Sequence, residues 1–399
     1  MFKFVALIRQ NWDRLAASIT LEQGKTFSDA RGDILRGLQV AETACGITTQ
    51  LTGEVLAVAK DMETRSYREP LGFDASICPF SFPAMIPLWS IPIATITGNT
   101  LVLRPSERDP GAALILAELA KEAGFPDGVI NIIHGTRRAV NFILDEPSIK
   151  AISFVGGNAA GEYVYSRGSA NDKRVQANLG AKNHAVVLPD CHKQHAINAI
   201  NGAAFGAAGQ RCMSLSTLIL IGKETHAWMD DVVAATRELN VNGGFEEGAD
   251  LGPVISPQSL QGIESLIVSA EEESAEIVLD GRGYRPEGYE EGNFLEADTL
   301  AEAMNMVNEN PYGNGVKASA HQPPGSRRIS RPVRSGLTFL YPVPCQCAGN
   351  KKSIVGGGIN TFYGKPGLNF YKQTKTVTFL WKTSDDTATK VAVATPSQR

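Results

Sequence analysis

The chain has 399 residues, 43% hydrophobic and 20% charged, which is enough apolar surface for more than one sizeable core and excludes disorder as the default. Its 38 Lys and Arg against 42 Asp and Glu leave a formal net charge of −4, so nothing in the whole-chain balance draws it to nucleic acid or an anionic membrane. Six cysteines, at 45, 78, 191, 212, 345 and 347, are too dispersed for the disulfide framework of a small secreted domain and point to a reducing compartment.

In chain order, the opening run MFKFVALIRQNWDRLAASI places apolar residues at helical spacing and lacks a small-residue cleavage site. An amphipathic helix is expected there, and no targeting signal is visible. Gly53 to Pro70 alternates in part between polar and β-branched residues and predicts a hairpin. ASICPF, NTLVLRP, GVINIIHG and KAISFVG then predict strands. Helices are expected through Pro87, over GAALILAELAKEAG, near Ala139 to Leu144, and from Gly156-Gly157 onward. That alternation is the mark of a parallel, doubly wound sheet. Ala84 to Leu103 is apolar enough to suggest a membrane span, but Pro87 and Pro92 interrupt it and Gly98-Asn99-Thr100 punctuates its end. A buried helix followed by a strand is expected instead, with no membrane partner. A second α/β region begins near Gly180 with HAVVL, a small-residue helix from Asn198 to Gly209, and the strand TLILIG. Acidic residues crowd Glu246 to Glu302 and are absent from Asn310 to Ser384, which predicts opposite electrostatic faces or simply solvated surface.

Among candidate chemical groups, Cys212 in GQRCMSLS stands directly beside Arg211, and a neighbouring cation favours the thiolate that attacks electrophiles. The same small-residue setting also suits an inert core cysteine. Cys191 in CHKQH and the Cys345-x-Cys347 pair suggest metal ligands, yet neither spacing completes a four-ligand zinc site, so no metal is expected. The strand-to-helix turns lack GxGxxG, and Gly156-Gly157 suits either a nucleotide's phosphates or tight packing.

The runs LVLRPSERDPGA, ISFVGGNAAGEYV, VQANLGAKNHAVVLPD, FGAAGQRCMSLS and NTFYGKPGLNFYKQTKTVT occur in collinear order and together resemble the aldehyde dehydrogenase superfamily. Within it they are most similar to the methylmalonate-semialdehyde branch, over nearly the whole chain apart from roughly Val316 to Ala348. The resemblance implies an aldehyde dehydrogenase-like α/β fold. Residues 1–52 and 71–180 would form a doubly wound NAD-binding domain, 181–369 an α/β catalytic domain, 53–70 and 370–383 small oligomerisation elements, and 384–399 a flexible tail.

The same resemblance implies a mechanism. Cys212 would attack the aldehyde carbonyl, NAD would accept the hydride, and a thioester would remain on the enzyme. Hydrolytic members carry a glutamate in the segment matching QANLGAK, whereas this chain has Asn178. An amide cannot take a proton from water at neutral pH, so the thioester is expected to persist until coenzyme A takes the acyl group. The implied substrate is methylmalonate or malonate semialdehyde, with Arg211 and Arg36 on its carboxylate and Phe80 also in the substrate site. Arg36 reads equally well as a solvated helix residue. Arg104, in place of the usual Lys, and Glu107 are implied at the adenine ribose, with Gly135, Gly156, Gly157 and Leu179 around the nucleotide. A homo-oligomer, dimer or tetramer, and a mitochondrial location follow from the same likeness.

Departures from the family pattern are specific. Ser81 stands where the family has an Asn whose amide donates to the oxyanion, and losing one such donor costs about 10²–10³ in turnover unless another substitutes. GNF at 292–294 runs directly into LEADTLAEAM, so a strand and a glutamate that holds the nicotinamide-side ribose are expected to be missing, leaving an unsatisfied sheet edge. The chain begins inside what should be an early helix, so the first strands of the cofactor domain are expected to be absent as well. Val316 to Ala348 holds five prolines, four arginines and no acidic residue, and reads as a disturbed reading frame or splice, or as a disordered loop. A basic arm for nucleic acid would fit that composition but lacks a companion fold. Two functions therefore compete: a CoA-acylating semialdehyde dehydrogenase, and a catalytically impaired relative kept as a binding or structural subunit.

Overall fold

The computed structural model describes residues 1–295, 316–319, 338–340, 362 and 364–381. Three helices lead, α1 (Phe2–Gln10), α2 (Trp12–Gln23) and α3 (Phe27–Cys45). The single helix expected over the first nineteen residues is broken at Asn11, whose side-chain amide donates to the Leu7 carbonyl at 3.0 Å and competes with the backbone ladder. α2 stops on Gly24, left-handed at φ 92°, and α3 starts at Thr26, whose hydroxyl accepts from the Asp29 amide. The chain continues through β1 (Val55–Ala59), β2 (Met62–Pro70), β3 (Phe73–Ile77), α4 (Met85–Ile96), β4 (Thr100–Arg104), α5 (Gly111–Ala123) and β5 (Ile130–Ile132). It then forms α6 (Arg137–Asp145), β6 (Ile149–Val155), α7 (Asn158–Ala170) and β7 (Arg174–Asn178). A second unit follows with β8 (Asn183–Val187), α8 (Lys193–Ala204), β9 (Leu215–Leu220), α9 (Lys223–His226), α10 (Met229–Arg237) and α11 (Pro257–Glu272). β10 (Val316–Ser319), β11 (Thr338–Leu340), α12 (Gly364–Phe370) and β12 (Lys372–Leu380) complete the described elements.

β3 to β7 form a five-stranded parallel sheet in the order β5-β4-β3-β6-β7. One face is covered by the leading helices with α4 and α5, through Phe4, Leu15, Ile34, Leu88 and Leu116. The other is covered by α6 and α7, through Ile143, Leu144 and Val164. This is the doubly wound arrangement that the alternating pattern predicts. Met85 to Ala94 of α4 are all buried, and no helix among the described residues is long and apolar enough to cross a membrane. The hairpin is present too: β2 pairs with β1 on one side and with β12 on the other, from Lys372↔Pro70 to Leu380↔Met62.

The second sheet has the order β11-β10-β8-β9, all parallel, over a core that includes Val187, Ile197, Leu218 and Val232. Two expectations need correction here. The helix expected over Asn198 to Gly209 instead begins at Lys193, because His192 caps it by accepting from the His195 amide, and ends at Ala204. Gly206–Gly209 is a separate tight turn in which Ala207 and Ala208 take left-handed φ values of 54° and 52°. From the segment read as irregular, Val316–Ser319 lies along β8 and Thr338–Leu340 along β10, so β8 is paired on both sides and its backbone groups are satisfied in the sheet. The remainder of that segment, the run after Leu295, and the tail at 384–399 lie outside the described residues.

Candidate active site

At the carboxyl ends of the parallel strands the connecting loops enclose a cleft of about 750 Å³. In open α/β sheets this is where ligands bind, because successive loops diverge there and leave a crevice. Cys78, Phe80 and Ser81 follow β3; Arg104 and Glu107 end and follow β4; Gly156 and Gly157 follow β6; Asn178 and Leu179 end and follow β7. The second unit contributes Gly209 to Cys212. Ten of the twelve residues singled out from sequence thus line one cavity, and Arg36 and Gly135 do not.

The loop bearing Cys212 is tied down from both sides. The Asn183 side-chain amide donates to the carbonyls of Cys212 and Ser214 at 3.0 and 2.8 Å. The Gln210 side chain donates to the Pro253 carbonyl at 3.3 Å and accepts from the Ile255 amide at 2.8 Å. Cys212 itself is half-buried. The other cysteine of the cleft, Cys78, is only 2% exposed, and burial pushes its thiol up to about 12. Of the two cysteines lining the cleft, Cys212 is the more accessible.

Opposite the thiol, the Ser81 segment is held by a pair that sequence reading missed. Lys25 and Asp33 have fully buried side chains in an ion pair of 3.2 Å. The Lys25 ammonium donates to the Ser81 carbonyl at 2.8 Å and sits 4.5 Å above the Phe82 ring. Asp33 accepts from the Met85 amide at 2.7 Å, at the start of α4. One buried pair therefore fixes both ends of the turn that carries Ser81. Burial pushes the Asp33 carboxyl up, with Lys25 and the Met85 amide opposing the shift.

Asn178 is 3% exposed, and its Nδ2 has no hydrogen-bond partner among the described residues. Its own carbonyl accepts from the Gly156 amide at 3.0 Å. A buried donor left open on the wall of a cleft is a group for a ligand to satisfy. Arg211 pairs through Nη2 with Asp29 at 2.6 Å, a partner on α3 that sequence reading also missed. Burial works against the Asp29 charge, but Arg211, Lys25 and Arg36 together hold its carboxyl below the ordinary range. Arg36 donates to the Gly32 carbonyl of its own helix at 2.9 Å and contributes to this field at Asp29.

On the other side of the cleft, Arg104 donates through Nε and Nη2 to the Gly135 carbonyl at 2.8 and 2.6 Å and pairs with Glu107. Burial works against the Glu107 charge, while its own amide and Arg104 hold it below the usual range. Gly135, at φ 134°, belongs to this site by accepting from Arg104 rather than by lining the cavity. The two neighbouring glycines separate by cause. A Cβ on Gly156 would lie 2.6 Å from the Phe154 ring, so packing requires that glycine, whereas a Cβ on Gly157 would meet nothing within 4 Å. Gly157 caps the thirteen-residue α7, whose first amides open on the cleft beside Ala160 and Tyr163. These residues fit a dinucleotide: helix amides for a pyrophosphate and the Glu107 carboxylate for ribose hydroxyls. No group of three or more His, Cys, Asp or Glu among the described residues converges to hold a metal.

The model of the aldehyde dehydrogenase family matches residues 1–299. The Rattus norvegicus methylmalonate-semialdehyde/malonate-semialdehyde dehydrogenase [acylating], mitochondrial, is 47% identical over 431 residues, covering 100% of this chain and 80% of the relative. The Homo sapiens protein of the same description is likewise 47% identical over 431 residues, with the same coverage. A Sinorhizobium meliloti crystal structure assigned to methylmalonate-semialdehyde dehydrogenase, complexed with NAD, superposes with a TM-score of 0.90 at 35% identity, covering 96% of this chain and 85% of its own. The Oceanimonas doudoroffii methylmalonate-semialdehyde dehydrogenase structure gives the same TM-score and identity, with 96% and 86% covered. On the matched family model and on these relatives, the chain belongs to the aldehyde dehydrogenase family.

Proposed function

We propose that the chain catalyses NAD-dependent, CoA-acylating oxidation of methylmalonate or malonate semialdehyde to propionyl-CoA or acetyl-CoA. One observation carries this reading beyond the family. Among the described residues lining the cleft, Glu107 is the only carboxylate, and it is paired with Arg104. Among the described residues, no unpaired carboxylate therefore stands beside Cys212 to activate water. Relatives described as acylating, and a structural relative complexed with NAD, support it.

In this reading the Cys212 sulfur bonds to the aldehyde carbon, and the carbonyl electrons move to oxygen. The open Nδ2 of Asn178 is a donor available to that oxyanion, and Ser81 supplies a hydroxyl on the opposing turn. NAD, when bound, accepts the hydride that leaves carbon as the carbonyl reforms. The thioester is stable toward water because Asn178 takes no proton. The bond from the α-carbon to the carboxylate breaks, releasing CO2, and the electron pair left on that carbon takes a proton from solvent; the thiolate of coenzyme A then bonds to the acyl carbon and the Cys212 thiolate leaves. Arg211 neutralises the substrate carboxylate beside the thiol, and Phe80 contributes apolar wall. The likeness to the relatives extends the proposal to a mitochondrial location and to a homo-oligomer, dimer or tetramer, joined through β1, β2 and β12.

A second reading, an impaired subunit, rests on Ser81, whose side chain is shorter than the asparagine the family uses there. Both are tested by mixing the purified protein, malonate semialdehyde and NAD and following NADH with and without CoA, beside a Ser81→Asn version. NADH that depends on CoA supports the first reading, and a rise of about 10²-fold on Ser81→Asn measures how much that serine costs. NADH formed equally without CoA refutes acyl transfer. Silence in both versions favours a defective fold.

A further inference from the structure

Arg211 reaches the cleft already engaged. Its Nη2 bonds to Oδ1 of Asp29 at 2.6 Å, and its Nη1 reaches the Gly202 carbonyl at 3.4 Å. The pairing is incomplete on both sides: Nε of Arg211 and Oδ2 of Asp29 are buried without hydrogen-bond partners among the described residues. Neither side chain is solvated enough for water to dilute the pair, with Arg211 18% and Asp29 14% exposed. Nearby charges do not balance. Lys25 is committed to Asp33, which leaves Arg36 and Arg211 to share the single carboxylate of Asp29. Two guanidinium groups facing one carboxylate leave room for a second, which a substrate can supply.

We propose that Asp29 is a specificity-determining positioning residue: an internal carboxylate that holds Arg211 beside Cys212 and competes with the substrate's carboxylate for the same guanidinium. The inference rests on the semialdehyde reading for its biological meaning, because only an aldehyde bearing a carboxylate meets this competition. A neutral aldehyde has no group to exchange with Asp29, so its access to Cys212 is indifferent to that charge. Asp29 thus sets how much affinity Arg211 can give a carboxylate. With Asp29 in place the anchor is aimed but weakened. With asparagine there, an amide oxygen still accepts from the guanidinium while the charge is gone, and Arg211 becomes a stronger anion site.

The test needs neither turnover, NAD nor CoA. Cys212 is alkylated with iodoacetamide, the Cys212 peptide is quantified by mass spectrometry, and protection is titrated with malonate and, separately, with neutral propionamide. Asp29→Asn is expected to lower the malonate concentration for half-protection by about tenfold and to leave propionamide unchanged. Asp29→Glu, which restores the charge, is expected to return malonate protection to within about threefold of the parent, and it also serves if the Asn version does not fold. Arg211→Gln is expected to abolish the preference for malonate over propionamide. An unchanged malonate requirement in Asp29→Asn, an equal shift for the neutral ligand, or no malonate protection in any version overturns the proposal. Failure of CoA-dependent NADH formation bears on the reaction and leaves these protection data readable by themselves.

Discussion

Lys25→Met is the substitution that most directly probes how the turn carrying Ser81 is held. It removes the cation paired with Asp33 at 3.2 Å, and it strips the Ser81 carbonyl of the donor that reaches it at 2.8 Å. Methionine fills similar volume, so the loss is electrostatic rather than a cavity. Breaking one partner out of a buried ion pair costs about 3–5 kcal/mol, and an orphaned buried carbonyl adds about 1–3. Asp33 can take a proton once Lys25 is gone, which recovers part of this, so the expected destabilisation at pH 7 is about 3–4 kcal/mol. The sign with pH follows from the direction of the shift. Burial already raises Asp33 above the value of an unfolded chain, and removing Lys25 raises it further. A raised carboxyl favours the folded state below its unfolded value and loses that contribution as pH rises through the folded value. The Lys25→Met penalty is therefore larger at pH 8 than at pH 5. Urea unfolding followed by far-UV circular dichroism at both pH values measures it, with Lys25→Met/Asp33→Leu closing a double-mutant cycle. A penalty below about 1 kcal/mol, or one that shrinks as pH rises, would refute the account of this pair as the clamp on the turn.

Three further outcomes are expected. Asp74 is buried without a hydrogen-bond partner among the described residues, and burial, opposed by Arg174, pushes its carboxyl up to about 7. Asp74→Asn should therefore stabilise the chain by about 2–3 kcal/mol more at pH 8 than at pH 5, and equal effects at the two pH values would show that Asp74 does not titrate in this window. Asn178→Glu places a base on the cleft wall, so NADH formation should acquire a CoA-independent component, detectable as free acid by mass spectrometry. A Cβ on Gly161 would lie 1.9 Å from Leu179 Cδ2, so Gly161→Ala should cost about 1–3 kcal/mol, and Gly161→Ala/Leu179→Ala should cost less than the two single losses summed.

What could be read from sequence was what depends on local pattern. The strands KAISFVG and NTLVLRP carry apolar residues that both faces of a parallel sheet require, and the structure forms both. Arg211-Cys212 was legible because the two are adjacent. Lys25, Asp29 and Asp33 were not, because their meaning depends on partners 56, 182 and 52 residues away. A lysine after a helix-ending glycine looks like any solvated lysine until tertiary packing closes over it. The trace that existed was the spacing of Asp29, Asp33 and Arg36 along one face of α3, a face that a solvated helix would share with no one. Arg104 lines the cleft, and its guanidinium is committed to the Gly135 carbonyl and Glu107, an arrangement set by a loop that sequence spacing alone does not specify.

The two left-handed alanines before Cys212 have a consequence for the evolution of this loop. An L-residue in that conformation costs roughly 1–2 kcal/mol more than in a right-handed one, and here two stand in succession at φ 54° and 52°. Glycine would relieve them, but it would also widen the range of directions in which the following residues can point. Alanine leaves the turn one way to be made. Selection on this segment thus weighs stability against the precision of a single sulfur atom, and a chain optimised for stability alone would drift toward glycine here and lose its aim.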